Sequence, residues 1–376
     1  MEARPRKSRI ARVALGLALA AGTLVLLEGL ASLFLFAYDL AFNTRSSDSE
    51  REAEYTQFDP EIGWISRPDV RVPDLFGPGA NLSTDALGAR GSAAVAREVP
   101  QGKLRVVCVG DSFTQGYGVG DEATWPSALQ ALDPRLEVVN LGQRGYGIDQ
   151  AYLWYLRKEN EIEHDVVLLA FIADDWRRVR LARYQGYPKP LLELGAGAPR
   201  VTNSPLEAPR SRSGWWHLNQ EVLKSPRTIA LIERLARKLG MKSTDDTALS
   251  EDRGAEVVAQ LIDDLAQRCR AAGRGLGLVY LPSPVPGSVG GITQLGGAAR
   301  RVCEQARAKG IAFLDLTPAF LALAPEKRDG YFLKLSEVAY PWAQNHYDVE
   351  GNQFVAGVLH TQLTEMGLLS GPDRSR

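Results

Sequence analysis

The stretch VCVGDSFTQGYGVG, residues 107–120, decides how this chain is read. A mainly hydrophobic run, Leu104 to Val109, stops at Gly110, Asp111 and Ser112, and Gly116, Gly118 and Gly120 follow. A short apolar run closed by turn residues predicts a strand covered on both faces. A serine on a tight turn at a strand end can serve as a nucleophile, given a base to take its proton and N–H groups to receive an oxyanion. It can equally cap the next helix, and the flanking residues are not the GxSxG of a nucleophile elbow. The rest of the chain has to say which.

Outward from that turn the pattern is strand alternating with helix. LEVVNLG (136–142), DVVLLAF (165–171), GLGLVYL (275–281) and IAFLDL (311–316) read as four further strands. Helices are expected at ATWPSALQAL (123–132), where Pro126 suits a first turn, and at DQAYLWYLRKEN (149–160). Others are expected at 228–240, 253–272 and 298–309, with GNQFVAGVLHTQLTEMG (351–367) closing the chain. This alternation implies a parallel sheet with helices on both faces. A main α/β domain is therefore expected over 104–370, with an insertion at 176–227. The insertion holds Trp176, Arg177, Arg178, Arg180, Arg183, Tyr184, Tyr187, Trp215 and Trp216. These residues either grip a carbohydrate or anionic group at the strand ends or pack as the small core of a lid, the reading favoured by the order a long loop needs.

The net charge of −1 excludes the basic surplus of a nucleic-acid binder. Three cysteines (Cys108, Cys269, Cys303) in apolar or helical contexts, without a CxxC pair, suit buried core positions rather than disulfides or a zinc site. No metal or other cofactor is indicated. At the N-terminus, residues 1–12 are basic and 13–38 are almost unbroken apolar. As a helix that run is roughly 39 Å long, more than the ~30 Å hydrocarbon core of a bilayer. The leading positive charge predicts a signal anchor with residue 1 on the cytoplasmic side and the remainder exported, into the periplasm if the source is a double-membrane bacterium. The rival reading is a cleaved signal peptide, against which the length of the run argues. Glu28 lies inside the run, a place where a carboxyl is costly. Residues 39–55 read as a polar linker, and 56–103, with frequent Pro and Gly, as short strands and turns packed on the main domain.

Several strand ends carry chemistry. NLGQRGYGIDQ (140–150) supplies glycines that let backbone approach a ligand, and FIADDW (171–176) supplies two adjacent acids. Of the four histidines, His164, His217 and His360 have no reason to meet Ser112, whereas His346, in NHYDVEGNQF (345–354), precedes the last helix.

Taken in order, the GDS turn, the glycine loop, the acid pair and the late histidine resemble the SGNH, or GDSL-type, hydrolases, over roughly 104–366. DPEIGW (59–64), LGARG (87–91) and the apolar N-terminus are similar to bacterial membrane-anchored members. The resemblance implies a flavodoxin-like three-layer α/β/α sandwich. It implies Ser112 as nucleophile, His346 as general base, and the N–H groups of Ser112 and Gly145 as oxyanion donors. The family's side-chain donor, an asparagine, falls on Asp174, and the family's orienting acid falls on Ala343 in WAQNH (342–346). An ionised Asp174 would repel an oxyanion, so this position requires a protonated carboxyl or a donor from elsewhere. Glu337, Asp348 and Asp329 are the candidates to replace the acid, a Ser–His dyad the alternative. The expected function is hydrolysis of an acyl ester on an envelope glycan or lipid by a membrane-anchored enzyme. The alternatives are acyl transfer to a polysaccharide, with a membrane partner protein supplying the donor, and a non-catalytic glycan-binding or assembly role.

Overall fold

A computed structural model describes residues 7–42, 46–185, 187–208, 228, 231–232 and 248–370. The chain divides into two units, Met1–Glu50 with Arg210–Asp245, and Arg51–Pro209 with Asp246–Arg376. The expected helix at 228–240, apart from three of its residues, and the expected insertion aromatics Trp215 and Trp216 lie outside the described residues, as does His217.

In the first unit, α1 (Lys7–Phe42) carries an apolar stretch, Ala11–Phe34, long enough to cross a membrane. Its apolar side chains are bare, Leu24 at 67 % and Val25 at 73 % exposure, an arrangement that water disfavours and lipid does not. Glu28 is not left alone there: its Oε2 accepts from the N–H of Thr228 at 3.0 Å and from its hydroxyl at 2.8 Å.

Residues 46–55 depart from the expected linker, since α2 (Ser46–Tyr55) is helical. Its last turn is part of the second unit, where Glu52 and Tyr55 are buried. The segment that follows forms two small antiparallel pairs, β1 (Thr56–Asp59) with β2 (Gly63–Ser66) and β3 (Arg71–Val72) with β4 (Leu82–Ser83).

The body of the second unit begins at β5 (Leu104–Val109), α3 (Ser112–Gln115) and α4 (Trp125–Leu132). It continues through β6 (Leu136–Asn140), α5 (Ile148–Lys158), β7 (Val166–Phe171) and α6 (Ala173–Arg178). Two short antiparallel pairs follow, β8 (Arg183–Tyr184) with β9 (Tyr187–Pro188) and β10 (Leu192–Glu193) with β11 (Arg200–Val201). Then come α7 (Glu251–Ala271), β12 (Gly275–Tyr280), α8 (Gly297–Ala308) and β13 (Ala312–Asp315). Short helices α9 (Thr317–Leu321) and α10 (Pro325–Asp329) lead to α11 (Val349–Glu365).

The central sheet has the order β13-β12-β7-β5-β6, with every neighbouring pair parallel. Alternation along its strands supplies two cores. Val107, Val109, Val167, Leu169 and Leu278 pack under α5, α7 and α8; Val106, Cys108, Leu168, Val279 and Leu314 pack under α4 and α11. This is the three-layer sandwich that continuous apolar strands require. All three cysteines are free and buried, as core residues. The chain moves from β5 to β6 on one side and then to β7 on the other. Connections therefore diverge from the carboxyl end of β5, the switch point where open α/β sheets form clefts.

Candidate active site

Strand β5 ends at Gly110 because nothing larger fits: a Cβ there would lie 2.4 Å from both Ala170 O and Thr114 Oγ1. The helix cap is Asp111, whose Oδ1 accepts from the N–H of Phe113 at 2.9 Å. Ser112 is thus relieved of the capping role that its position suggested. It opens α3, and its own N–H has no hydrogen-bond partner among the described residues.

His346 arrives from the loop before α11. A bridge between Phe332 and Tyr347 sets that loop, with Leu333 N–H on His346 O and Asn345 N–H on Leu333 O, both at 2.8 Å. The imidazole Nε2 lies 2.8 Å from Ser112 Oγ, and Nδ1 lies 3.2 Å from the Ala343 carbonyl. Nδ1 must donate to a carbonyl, so Nε2 is the bare nitrogen and the Ser112 hydroxyl donates to it. Phe113 and Tyr117 flank the ring, with centroids 4.8 and 5.1 Å away. Burial among them pushes the His346 pKa down to about 4, so the imidazole is neutral at pH 7.

The glycine loop after β6 is held on several sides. Gln143 N–H donates to Gly110 O at 3.0 Å, and the Gln143 side chain accepts from the Ser66 hydroxyl at 2.9 Å. The Trp64 indole donates to Arg144 O at 2.8 Å. Gly145 has φ +72°, a left-handed conformation that favours glycine, and the Tyr184 ring lies against it. Its N–H, like that of Ser112, has no partner among the described residues.

Two expectations are corrected here. Asp174 is neither protonated nor free to act as a donor. Burial works to raise its pKa, but Arg178 and Arg177 outweigh that and hold the carboxyl below the usual range. Arg177 Nε is 2.7 Å and Arg178 Nε is 3.0 Å from its oxygens. Nor does any of the three candidate acids stand behind the imidazole. Asp348 caps α11 by accepting from Gly351 N–H at 2.6 Å. Asp329 pairs with Lys334 at 3.0 Å, and Glu337 accepts from Lys334 N–H at 3.2 Å. Among the described residues the imidazole has no carboxylate partner; the Ala343 carbonyl accepts from Nδ1–H instead.

Arg178, expected within the 176–227 insertion, ends α6 and belongs to the site's foundation. Its Nη1 is 2.8 Å from Asp175, 3.5 Å from Asp111 and 2.9 Å from Tyr146 O, and its guanidinium lies over the Tyr184 ring. Burial and the nearby Asp111 push the Asp175 pKa well above its ordinary value, while Arg178 opposes that rise. Trp176 and Tyr187 pack on Phe171 and Trp64, on the main body rather than in a separate lid core. The sequence reading also missed Arg90. From the 56–103 segment it donates to Gln115 O at 2.7 Å and to Gly116 O and Val119 O at 2.5 Å, closing the end of α3. Its one sequence signal is position, in LGARG (87–91). Among the described residues no cluster of three or more His, Cys, Asp or Glu is arranged for a metal ion.

The model of the GDSL-like lipase/acylhydrolase family matches residues 108–353, which spans β5 to the start of α11. Solved structures similar to the chain include a lipase/acylhydrolase from Enterococcus faecalis, 14 % identical, covering 72 % of this chain and 99 % of that one, TM-score 0.38. A lipolytic protein of the G-D-S-L family from Desulfitobacterium hafniense is 15 % identical, covering 69 % and 100 %, TM-score 0.35. A GDSL-like lipase from Bacteroides thetaiotaomicron is 14 % identical, covering 72 % and 92 %, TM-score 0.36. No curated protein matches the chain. The family model, which covers well over half of the sequence, carries the assignment: the chain belongs to the GDSL-like lipase/acylhydrolase family.

Proposed function

We propose that this chain is a serine esterase that works with a Ser112–His346 dyad. Membership of the family implies acyl-ester hydrolysis or acyl transfer. The observation that carries the dyad is the 2.8 Å contact between Ser112 Oγ and His346 Nε2, with Nδ1 turned to a main-chain carbonyl.

Neutral His346 takes the Ser112 proton as Oγ attacks the acyl carbon, and the imidazolium returns that proton to the departing alkoxide. Water then attacks the acyl-enzyme, giving its proton to His346, and collapse releases the acid and restores the Ser112 hydroxyl. The N–H groups of Ser112 and Gly145 receive the oxyanion in both steps. The Ala343 carbonyl fixes the tautomer and the ring orientation, as a carboxylate does in a triad. It brings no full negative charge, so the imidazolium is stabilised less and the base stays weak. Asp174, ionised, is given no part in the hole.

The substrate class proposed is an acyl group on a cell-envelope glycan or lipid. The support is α1, which as a single-pass anchor with its basic end inside would hold the second unit outside the cytoplasmic membrane. The same acyl-enzyme resolved by a sugar hydroxyl would make a transferase, with a membrane partner to supply the donor. The test is hydrolysis of short acyl p-nitrophenyl esters by the full chain in detergent. Ser112→Ala is expected to lower kcat/KM by roughly a thousand-fold or more. Equal rates for the two proteins would end the proposal, and acyl product on an added oligosaccharide rather than free acid would move it to transfer.

A further inference from the structure

Among the described residues no carboxylate stands behind His346, yet one is buried close by. Glu52, on the last turn of α2, is 8 % exposed. One of its oxygens, Oε1, takes two donors: Arg144 Nε at 2.6 Å and the Tyr117 hydroxyl at 2.6 Å.

These two donors belong to the two halves of the site. Arg144 precedes Gly145 in the chain, and its main-chain carbonyl is already pinned by Trp64. Tyr117 sends its N–H to Ser112 O at 3.0 Å and lays its ring 5.1 Å from that of His346. We infer that Glu52 is a positioning residue: through Arg144 and Tyr117 it holds the Gly145 loop in register with the segment that bears Ser112 and with the face of the imidazole. The inference rests on the dyad reading and adds to it a residue from outside the matched 108–353 region.

The charge matters as well as the shape. Burial opposes the Arg144 charge, but the Glu52 carboxylate outweighs it and raises the guanidinium's pKa. Without Glu52 the half-buried Arg144 guanidinium would lose its carboxylate and be left with the neutral Gln185 side chain, whose Oε1 accepts from Nη2 at 2.8 Å, and would shift toward that exposed side. Gly145 would move with it, and a displacement of about 1 Å at a reacting centre costs about a hundred-fold in rate.

The experiment is the rate at which a fluorophosphonate labels Ser112 in the full-length, detergent-solubilised protein, together with kcat and KM for a p-nitrophenyl ester. Glu52→Gln keeps the volume and removes the charge. It is expected to slow labelling and lower kcat by about ten- to a hundred-fold, with KM within about threefold of wild type. Glu52→Asp, which keeps the charge on a shorter stem, is expected to recover part of that loss. Tyr117→Phe, which deletes one of the two bonds and leaves the ring, is expected to slow labelling by about three- to tenfold. Wild-type rates in a folded Glu52→Gln protein overturn the inference. If that variant fails to fold, a wild-type rate in Tyr117→Phe overturns it. A wild-type protein that is not labelled at all removes the dyad reading itself, and the positioning role falls with it.

Discussion

His164 and His346 each turn Nδ1 to a main-chain carbonyl and Nε2 to a hydroxyl. For His164 the partners are Ile162 O and Tyr155 OH, both at 3.0 Å. For His346 they are Ala343 O at 3.2 Å and Ser112 Oγ at 2.8 Å. Burial pushes both pKa values down to about 4. The two differ in what surrounds the hydroxyl. Tyr155 is fully buried on α5, with Arg274 as a second partner, at the amino end of β7. Ser112 stands at the carboxyl end of β5, beside a glycine loop, and its N–H and that of Gly145 have no partner among the described residues. A hydroxyl–imidazole pair is therefore not itself an active site. The sheet end that presents it, and the donors that wait there for a developing charge, make the difference.

The comparison breaks most sharply by removing each imidazole. His346→Gln is expected to lower kcat/KM for a p-nitrophenyl ester by about a hundred- to ten-thousand-fold, the range general-base catalysis contributes. Thermal unfolding at pH 7 should change less than for His164, since His346 is half-buried where His164 is buried. His164→Leu is expected to leave kcat/KM within about threefold and to cost about 1–3 kcal/mol of stability, because Tyr155 OH and Ile162 O lose a buried partner. A large activity loss in His164→Leu with the fold intact would contradict the assignment of the two rings.

What the sequence made legible follows the same division. The β5 turn, the glycine loop and the five strands of a parallel sheet rest on local pattern: apolar runs closed by Gly, Asp and Asn. His346 could be singled out because the order of motifs named it. What stayed hidden depends on contacts between distant residues. Nothing in EREAEY (50–55) marks Glu52 as buried, because that stretch has the composition of a solvated linker. Arg178 looked like one arginine among four in a loop, and only the meeting of α6 with Asp111 and Tyr146 shows it as a foundation. The partner of His346 Nδ1 was sought among side chains, Glu337, Asp348 and Asp329, whereas the Ala343 main chain supplies it. Main-chain groups carry no signature in residue types.

Acid sharpens the comparison by a smaller margin. Both histidines are neutral when folded down to about pH 4, while in the unfolded chain each protonates near 6.5. Between those values the unfolded state binds more protons, so stability is fully present above about pH 6.5 and falls as pH drops toward 4. Both rings contribute to that fall, and His164→Leu should flatten the curve of Tm against pH in this window. Activity should report one ring alone. The acid limb of kcat/KM is expected near pH 4, about two units below an ordinary histidine, and unmoved by His164→Leu. A limb at 6.5 would mean an imidazole more exposed to water than its packing against Phe113 and Tyr117 allows.

The smallest expected effect tests the donors. The resemblance puts Asp174 at the family's side-chain donor, but it is held ionised, its side chain 37 % exposed beside Arg177 and Arg178. Asp174→Asn removes a charge that disfavours an oxyanion and adds an amide N–H. A well-placed donor is worth about a hundred-fold or more, but this amide would lose the two arginines that now fix the side chain. A rise in kcat of only about three- to tenfold is therefore expected, measured against a short acyl ester. The cost in stability should stay under about 1 kcal/mol, since the lost ion pairs are partly solvated and Arg178 keeps Asp175 and Tyr146 O. A fall in kcat would mean that the carboxylate serves the site by steadying Arg178, and that the hole is complete with the N–H groups of Ser112 and Gly145.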